Sequence, residues 1–579
     1  MAEKTSYIQF GTFVAILFAK SVLFQWAAFQ CVLFDSSFSV CTFYADQMLI
    51  ATYVASFLFI SKHRWWTILI CVAEDLWNIA NLIYYKTYDA FLAVEDVLLV
   101  GNMDGAWSSV TAYIDVWMVL MVCLTIAWCA LCWVFRKSSK ERHWLTFGIT
   151  FAVITTLFCG NIYLMYSRGE EISTETQEEQ QAQSGTDDWG ELVDADRGVS
   201  GVKRIPGIKL LAQYLREHTM LFDWLNVYYR IKNRDAGEHI SLSEEDVKVI
   251  ESLIHEQGDC PQPQNHLILL IVESLESWPI EHEIEGQSVA SFMQSFREHE
   301  HVLFCGKIKN QTSSGNSGDG QMIINTGLLP VSKGVACMHY GDNTYPNVAH
   351  FYNSSVLVNP WPHIWNQDTM SVRYGYKKRV EPDNEEWQDE HVLRNALDCL
   401  KQASEPTCIC VLTVSTHSPF NRVTNNKIHT SAPAVMNRYM QCLNYTDSCI
   451  GDFVEMVLDD PQLAQSTIVI TGDHTIFKPA MMREFADYSR AQNLSIASGI
   501  NYCPLFVYSP RIMGNMQIEE ECYQMDIYPT LLELIGCDEY YWHGFGRGLL
   551  NGQSVNRRMS EQEANRLSDL IIRSNYFGR

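Results

Sequence analysis

Long apolar stretches separated by short polar connections fill the first part of the chain. They fall at Phe10–Phe29, Phe43–Ile60, Trp65–Tyr85, Val116–Phe135 and Trp144–Tyr166. Each approaches the roughly 20 residues that a helix needs to cross about 30 Å of hydrocarbon. The pattern therefore predicts an α-helical membrane domain of five spans over residues 1–167.

Charged and amide side chains interrupt two of these windows. Lys20 lies in the first window, and Glu74, Asp75 and Asn78 lie in the third. Because such groups are costly in lipid, we expect them to face the interior of the bundle. Two interpretations stay open, structural pairing among themselves and contact with a lipid or substrate.

The loop charges predict the orientation of the spans. Cations concentrate in the second connection, 61–64, and in the fourth, 136–143, whereas the first connection has none and the third is acidic. Short loops rich in Lys and Arg stay on the cytoplasmic side. The N-terminus is therefore expected inside and everything after Tyr166 outside, in a multi-pass protein of the cell (inner) membrane.

The polar pattern changes twice after the last span. Residues 168–200 are acidic and nearly devoid of apolar side chains, which predicts a flexible tether. Residues 201–262 contain an amphipathic pattern and are expected to form linker helices, either on the membrane surface or against the next domain. Residues 263–579 are predicted to be an extracytoplasmic catalytic domain.

Short apolar runs separated by helical patterns dominate this last region. His266–Val272, Thr407–Val414, Ser466–Ile470 and Leu505–Tyr508 read as buried strands. They predict an α/β domain with a mainly parallel sheet covered by helices on both faces. Ligands of such sheets bind beyond the carboxyl ends of the strands.

Composition narrows the function further. The formal net charge is -25, which argues against a nucleic-acid partner. Seven cysteines precede Gly160 and eleven follow it, so the odd outer count leaves at least one outer thiol unpaired. The sequence does not assign any disulfide pairing.

Polar groups suited to metal chemistry follow three of the four predicted strands. Glu273 follows the first, His417 follows the second, and Asp473 and His474 follow the third. Two carboxylates and an imidazole are ligands for Zn²⁺ or Mn²⁺. Each alone is also typical of a cap or surface turn, but their joint placement at one sheet edge favours a site. The loop 310–321, NQTSSGNSGDGQ, adds small residues and hydroxyls that suit an anionic group or a nucleophile.

These segments together resemble the membrane-anchored lipoteichoic acid synthase type of the alkaline phosphatase and sulfatase superfamily, which includes phosphoglycerol and phosphoethanolamine transferases. The resemblance covers nearly the whole chain. It rests on five spans, a linker, and IVESLES, NQTSSGNSGDGQ, PHIWNQD, LTVSTHSPF, VITGDHT and YQMDIYPTLLELIG in matching order. It implies an alkaline phosphatase/sulfatase-like fold for the outer domain.

The resemblance implies roles for individual residues. Glu273, Asp473 and His474 match metal ligands, and Ser317 matches a nucleophile that also binds the metal. His417 matches a histidine that holds the substrate phosphate, and Trp365 matches a tryptophan of the head-group pocket. One divalent ion is expected, with Mn²⁺ preferred and Zn²⁺ or Mg²⁺ as alternatives.

The chain departs from the family pattern at two positions. Ser317 stands where the family usually has threonine, a mild change because both carry a hydroxyl. Gln367 stands where an arginine commonly contacts phosphate, so a bidentate clamp is lost. Arg373 or Lys377 is a candidate to compensate for it. Gly-Asp-Gly-Gln after Ser317 also differs from the maturation motif of a true sulfatase.

The resemblance implies metal-dependent transfer of a phosphorylated head group through a covalent phosphoserine. The expected partners are a phospholipid donor, an envelope glycan, glycolipid or lipid acceptor, and the membrane. Two alternatives stay open. One is a membrane-anchored phosphodiesterase or phosphatase of the same superfamily, and the other is a non-catalytic envelope-binding sensor.

Overall fold

The computed structural model describes residues 2–29, 51–61, 65–88, 114–134, 142–156 and 239–579, the last range with short gaps at 314, 333, 362–363, 383–387, 419, 421–422, 424–426, 478–481, 483–484 and 551–558. The described residues form two compact units, one before residue 157 and one from residue 239 onward. The predicted tether and residues 201–238 of the predicted linker lie outside the described residues. The predicted domain boundaries stay predictions.

The first unit is helical throughout its described residues. Its helices are Ala2–Phe29, 51–56, Trp66–Tyr88, Val116–Val134 and Trp144–Thr156. Three of them are long and apolar enough to cross a membrane, over Ser6–Phe24, Trp66–Ile83 and Val116–Val134. The prediction of an apolar helical region is confirmed. The number five stays a prediction, because the second and fifth windows are only partly described.

A charged cluster lies inside this helical unit. Lys20 is fully buried, and its Nζ lies 2.8 Å from Asp75 Oδ1 and 3.3 Å from Glu74 Oε2. Thr125 donates a hydrogen bond of 2.5 Å to the second oxygen of Asp75. The expectation that these groups face the bundle interior is confirmed. The contacts favour structural pairing, since an unpaired charge there would be strongly destabilising.

The second unit is built on one sheet of nine described strands. They are β1 Leu267–Val272, β2 Val302–Lys309, β3 Ser354–Val358, β4 Lys378–Val380, β5 Thr407–Leu412, β6 Thr467–Gly472, β7 Tyr502–Tyr508, β8 Met516–Ile518 and β9 Cys522–Tyr523. The order is β4-β3-β5-β1-β6-β7-β2-β8, with β9 also paired to β2. The first five strands in this order, β4, β3, β5, β1 and β6, are parallel to one another. The strand β7 runs antiparallel to both of its neighbours, β6 and β2.

Helices cover both faces of this sheet, as predicted. Alternate residues of β1 point to opposite faces, so Leu269 joins one hydrophobic core and Leu270 the other. The first face carries Ser317–Thr326, Ile527–Ile535 and Glu561–Arg573, and the second carries Ser291–Phe296, Asp389–Lys401 and Ala434–Asp459. Burial on both faces explains why β1 is apolar throughout instead of alternating.

The remaining helices of this unit are short. They are Glu244–Glu251, Trp278–Glu281, Ala336–His339, Gln367–Arg373 and Ala486–Ala491. Glu244–Glu251 belongs to the predicted linker region. Its Ile250 is buried in the first core, and its Asp246 pairs with Arg566 at 3.3 Å. The described end of that region therefore packs against the α/β unit.

Candidate active site

The predicted metal ligands meet at the carboxyl edge of the sheet. Glu273 follows β1, and Asp473 and His474 follow β6. The parallel pairing of β1 with β6 sets Val272 opposite Gly472, so the residues after them are neighbours. One ligand atom from each of the three lies within 4.8 Å of the others, and all three side chains are buried. Among the described residues this is the single group of three or more with such geometry.

The tautomer of His474 suits metal binding. Its Nδ1 lies 3.2 Å from the carbonyl of Thr475, a partner to which only a protonated nitrogen can donate. In the neutral ring this leaves the lone pair on Nε2, which lies 3.5 Å from Glu273 Oε1 and 3.7 Å from Asp473 Oδ2. The imidazole therefore presents its ligand nitrogen to both carboxylates.

Ser274 orients both carboxylates from a strained position. Its hydroxyl donates to Glu273 Oε1 at 2.7 Å, and its backbone N–H donates to Asp473 Oδ1 at 2.8 Å. The N–H of His474 reaches the same oxygen, also at 2.8 Å. Ser274 has a φ of 51°, a left-handed value that costs a non-glycine residue free energy. This turn points two successive polar groups toward the site.

Ser317 starts the helix Ser317–Thr326 and faces the three ligands. Its Oγ lies 3.2 Å from His474 Nε2 and 3.3 Å from Glu273 Oε2. The preceding Asn316 has φ 37° and ψ -109°, so the chain turns sharply just before the serine. The start of a helix carries partial positive charge, which favours a phosphate or an oxyanion there.

Glycines let this helix approach the ligands closely. A Cβ on Gly320 would lie 2.1 Å from the carbonyl oxygen of Asp473, and one on Gly315 would lie 2.2 Å from Asp319. A Cβ on Gly318 would lie 2.9 Å from Cys337 Sγ and 3.2 Å from Trp365. The small residues of the loop are therefore required by contact with the site and its walls.

The buried carboxylates influence one another electrostatically. Burial, followed by the charge of Glu273, raises the pKa of Asp473 above its ordinary value. Burial acts on Glu273 in the same direction, but the hydrogen bond and charge of His474 and the charge of His417 outweigh it and lower the pKa of Glu273. Two adjacent buried carboxylates with an imidazole are a donor set that fits Zn²⁺ or Mn²⁺, since the cation offsets their repulsion.

Two of the predicted substrate-side residues lie beside this centre. His417 is half-buried after β5, with Nδ1 2.6 Å from the carbonyl of Ser418 and its ring 4.9 Å from that of Trp361. Trp365 lies against Gly318, next to Ser317. Trp365 therefore lies beside the start of the serine helix, and His417 is near enough for its charge to act on Glu273. Trp361 was not anticipated from the sequence.

The short helix Gln367–Arg373 separates the other two substrate-side residues. Gln367 begins the helix and is buried, and its Nε2 has no hydrogen-bond partner. Arg373 ends it and is exposed. Seven helical residues at 1.5 Å each span about 10 Å. Arg373 therefore does not lie at the position of Gln367. Lys377 donates to the carbonyls of Tyr352 and Asn353, before the start of β3 and at the opposite edge of the sheet from the ligands.

Three buried carboxylates that sequence reasoning missed support the loops of the site. Asp319 accepts backbone N–H groups of Ser313 and Gly315 within its own loop. Glu276 accepts those of Ile476 and Phe477 at 2.7 and 2.8 Å, just after His474. Asp389 accepts those of Val414 and Ser415, just before His417. Burial raises the pKa of Asp319 to about 6, although its backbone donors act in the opposite direction.

A buried amide joins the serine loop to the ligands. Gln524 donates to the carbonyl oxygen of Asp473 at 2.7 Å and accepts from the backbone of Gln311 at 2.7 Å. Gln311 in turn accepts from the backbone of Met525 at 3.0 Å. The sequence offers no signal for this reciprocal pair, because its members lie far apart along the chain.

The fold and this centre define the class of the protein. The sheet and its helical layers are those of the alkaline phosphatase and sulfatase superfamily, and the family described as Sulfatase matches residues 334–537. The Lipoteichoic acid synthase N-terminal domain matches residues 2–182. Within the superfamily, the chain belongs to the lipoteichoic acid synthase-like group of membrane proteins.

Individual relatives agree with this assignment. Lipoteichoic acid synthase 1 of Bacillus subtilis (strain 168) is 22% identical over 515 residues, covering 82% of this chain and 73% of the relative. Lipoteichoic acid synthase of Staphylococcus aureus (strain USA300) is 21% identical over 511 residues, covering 82% and 72%. The expectation of an enzyme is confirmed, since the relatives are synthases.

A solved structure supports the fold. The integral membrane protein lipooligosaccharide phosphoethanolamine transferase A (EptA) from Neisseria meningitidis matches with a TM-score of 0.55 over 92% of this chain and 95% of that chain, at 10% identity. At this identity the similarity concerns the fold alone. It extends over the helical membrane region as well as the α/β domain.

Proposed function

We propose that this enzyme transfers a phosphorylated head group, phosphoglycerol or phosphoethanolamine, from a phospholipid to a hydroxyl of an envelope glycan, glycolipid or lipid. The observation that carries the proposal is the position of Ser317 Oγ, 3.2 and 3.3 Å from the side chains of His474 and Glu273 at a helix N-terminus. The names of the relatives point to the same class of reaction.

One divalent ion would be held by Glu273, Asp473 and His474 together with Ser317. Mn²⁺ is our first choice, with Zn²⁺ or Mg²⁺ as alternatives. When bound, such an ion lowers the pKa of a coordinated hydroxyl and neutralises charge on phosphorus. Ser274 and the backbone N–H of His474 keep the carboxylate oxygens aimed at this position.

The chain's own residues would carry out two successive displacements. In the first, Ser317 Oγ forms a bond to phosphorus while the bond to the diacylglycerol oxygen breaks. The proton lost by Ser317 balances the one gained by the diacylglycerol oxygen, and a phosphoserine ester remains. In the second, an acceptor hydroxyl attacks this phosphorus and Ser317 regains a proton. The partial positive charge of the helix start would stabilise the phosphoryl oxygens.

We assign the binding of the head group to His417, Trp365 and Gln367. His417 would bind a phosphate oxygen, and Trp365 would pack against the glycerol or ethanolamine moiety. Gln367 has an unpartnered Nε2 that offers a donor in place of the family's arginine. Arg373 is exposed at the other end of its helix. It would contact the substrate only if the substrate extended along that helix beyond Gln367.

We place the catalytic domain outside the cytoplasm. The cations of the second and fourth connections support this orientation, and the helices able to span a membrane support an anchor. Anchoring holds the domain where phospholipid head groups have a high effective concentration. A water-using hydrolase of the same superfamily is the second candidate, because the same centre serves either acceptor.

Labelled phospholipids test the reaction. Purified full-length protein is incubated with head-group-labelled phosphatidylglycerol or phosphatidylethanolamine, and label retained on the protein is mapped. Label on Ser317 followed by transfer to an added hydroxyl acceptor supports the proposal. Ser317→Ala should abolish both steps with little change in Tm, because the hydroxyl is removed without disturbing a packed core.

Ser313→Ala is the matched control. Ser313 is an exposed hydroxyl residue of the same loop and should keep most of the activity. Ser317→Thr should keep part of it. If Ser317→Ala still forms the adduct, the assignment of the nucleophile is wrong and Thr312 becomes the next candidate. Label released only into water would identify a hydrolase instead.

A further inference from the structure

Two pairs of cysteines that are distant in sequence meet in the second unit. Cys305 lies on β2, and Cys522 begins β9, which pairs with β2 at Ile308. The register between β2 and β7 shifts between Cys305 and Ile308, and Cys305 Sγ lies 3.9 Å from the carbonyl of Glu520. The two thiols are hydrogen-bonding neighbours and both are fully buried.

The second pair joins the segment before β1 to the chain after the helix Ile527–Ile535. The N–H of Gly258 donates to the carbonyl of Glu539 at 2.9 Å. On the other side of Cys260, Pro261 lies 3.9 Å from the position of a Cβ on Gly536. Cys260 and Cys537 lie between these contacts, and their thiols are hydrogen-bonding neighbours.

The thiols of Cys305 and Cys537 would be unreactive once the domain is folded. The neighbouring Cys522 and burial raise the pKa of Cys305 well above its ordinary value. Burial, then the neighbouring Cys260, raises the pKa of Cys537 in the same way. Since the thiolate is the reactive form, any bond between the partners must form before the strands close over them.

We propose that Cys305–Cys522 and Cys260–Cys537 are disulfides in the mature protein. The chemistry is thiol–disulfide exchange during folding, with a disulfide-donating oxidoreductase or a low-molecular-weight disulfide as oxidant. One thiolate attacks the donor disulfide and releases a donor thiol. The partner thiolate then attacks the mixed disulfide and releases the second donor thiol, so each protein disulfide reduces one donor disulfide. The proposal rests on the extracytoplasmic position of the domain.

Each bond would brace a segment that leads to a metal ligand. Cys522 is two residues before Gln524, which holds the carbonyl of Asp473. Cys260 lies in the segment that enters β1, and β1 ends at Glu273. The disulfides would therefore restrict movement of both ligand-bearing strand ends, besides reducing the entropy of the unfolded chain.

Peptide mapping of the intact protein tests the proposal. Full-length protein is isolated from cells without reductant, unfolded in denaturant with N-ethylmaleimide present so that buried free thiols also react, then digested and analysed by mass spectrometry. We expect linked peptides for the two pairs and a blocked thiol at Cys399, a partly exposed cysteine that serves as the internal control. In the same denaturing conditions, Cys305→Ser should leave Cys522 free to react with N-ethylmaleimide while the Cys260–Cys537 link persists.

A second experiment tests whether the cysteines can pair at all, independently of the conditions in the cell. The reduced protein is refolded in oxidised glutathione and mapped in the same way. A pair that is alkylated after both preparations is not a disulfide, and the proposal fails for it. A link that forms only in glutathione contradicts a disulfide in the mature protein. Neither result bears on the Ser317 adduct, which tests the transferase function separately.

Discussion

The substitution Gly320→Ala should inactivate the candidate site by pushing the helix Ser317–Thr326 away from the segment that carries Asp473. This glycine lies on the helix that Ser317 begins, at the point where the helix passes over the strand end of β6. A Cβ there would lie 2.1 Å from the carbonyl oxygen of Asp473 and 2.8 Å from its carbonyl carbon. Both contacts are with backbone, which cannot rotate away as a flexible side chain can. Gly320→Ala must therefore move the helix, the ligand segment, or both.

The size of the effect follows from these distances. The oxygen and the new carbon must separate by about 1 Å to reach ordinary contact, and overpacking of this kind costs about 1–3 kcal/mol. The movement also strains the 2.7 Å bond from Gln524 to the same oxygen, a further loss of about 1 kcal/mol. Alanine's better helix propensity returns about 1 kcal/mol. We expect a net destabilisation of about 1–3 kcal/mol.

Activity should fall further than stability. A displacement of about 1 Å between reacting groups can cost about 100-fold in rate. Head-group transfer and metal content would be measured beside the Tm of the purified full-length variant. Gly306→Ala is the matched control, because its Cβ meets only the ring of Phe304, at 3.3 Å. Parental activity, metal content and Tm in Gly320→Ala would refute the close packing of helix and ligand segment.

Two further predictions concern the ligands and their support. Asp473→Ala with His474→Ala should lose the divalent ion measured by elemental analysis, and equal metal content in variant and parent would contradict the assignment. Glu276→Gln should lower the free energy of unfolding, measured in denaturant, by about 1–3 kcal/mol. The new amide nitrogen is a donor, and it would face the donor N–H of Trp278 or of Ile476. Glu283→Gln is the control at an exposed position and should change stability by less than about 0.5 kcal/mol. A similar change in both variants would contradict the conclusion that Glu276 supports the loop after His474.

The grouping of Glu273, Asp473 and His474 could be predicted because Glu273 and Asp473 each directly follow a buried strand. An uninterrupted apolar run fixes where such a strand ends, and parallel strands bring their carboxyl ends to one edge. Four predicted strands are confirmed as β1, β5, β6 and β7. The strand β2 was missed because Gly306 and two lysines interrupt its apolar pattern, and β3 because polar residues flank its short core. Neither omission displaced a ligand, since both strands lie outside the β1–β6 pair.

The residues that contact the substrate were harder to predict, because a sequence motif does not show how far apart its residues lie once they form a helix. Gln367 and Arg373 lie close in sequence, so Arg373 looked suited to replace a lost arginine. The structure places them at opposite ends of one helix, one buried and one exposed. Trp365, from the same motif, has a left-handed backbone and lies beside the serine helix, 3.2 Å from the position of a Cβ on Gly318. Short-range spacing thus identified the segment without fixing which of its residues reach the centre.

The supporting carboxylates reveal how the centre holds its shape. Asp319, Glu276 and Asp389 each accept two backbone N–H groups from a loop that carries or adjoins a site residue. Replacing such a carboxylate leaves buried donors unpaired, which costs more than the net value of the bonds it made. The loops are therefore fixed by side chains with no direct role in the chemistry. A strained serine turn and a strained asparagine turn persist on either side of the ligands because this support over-determines their conformation.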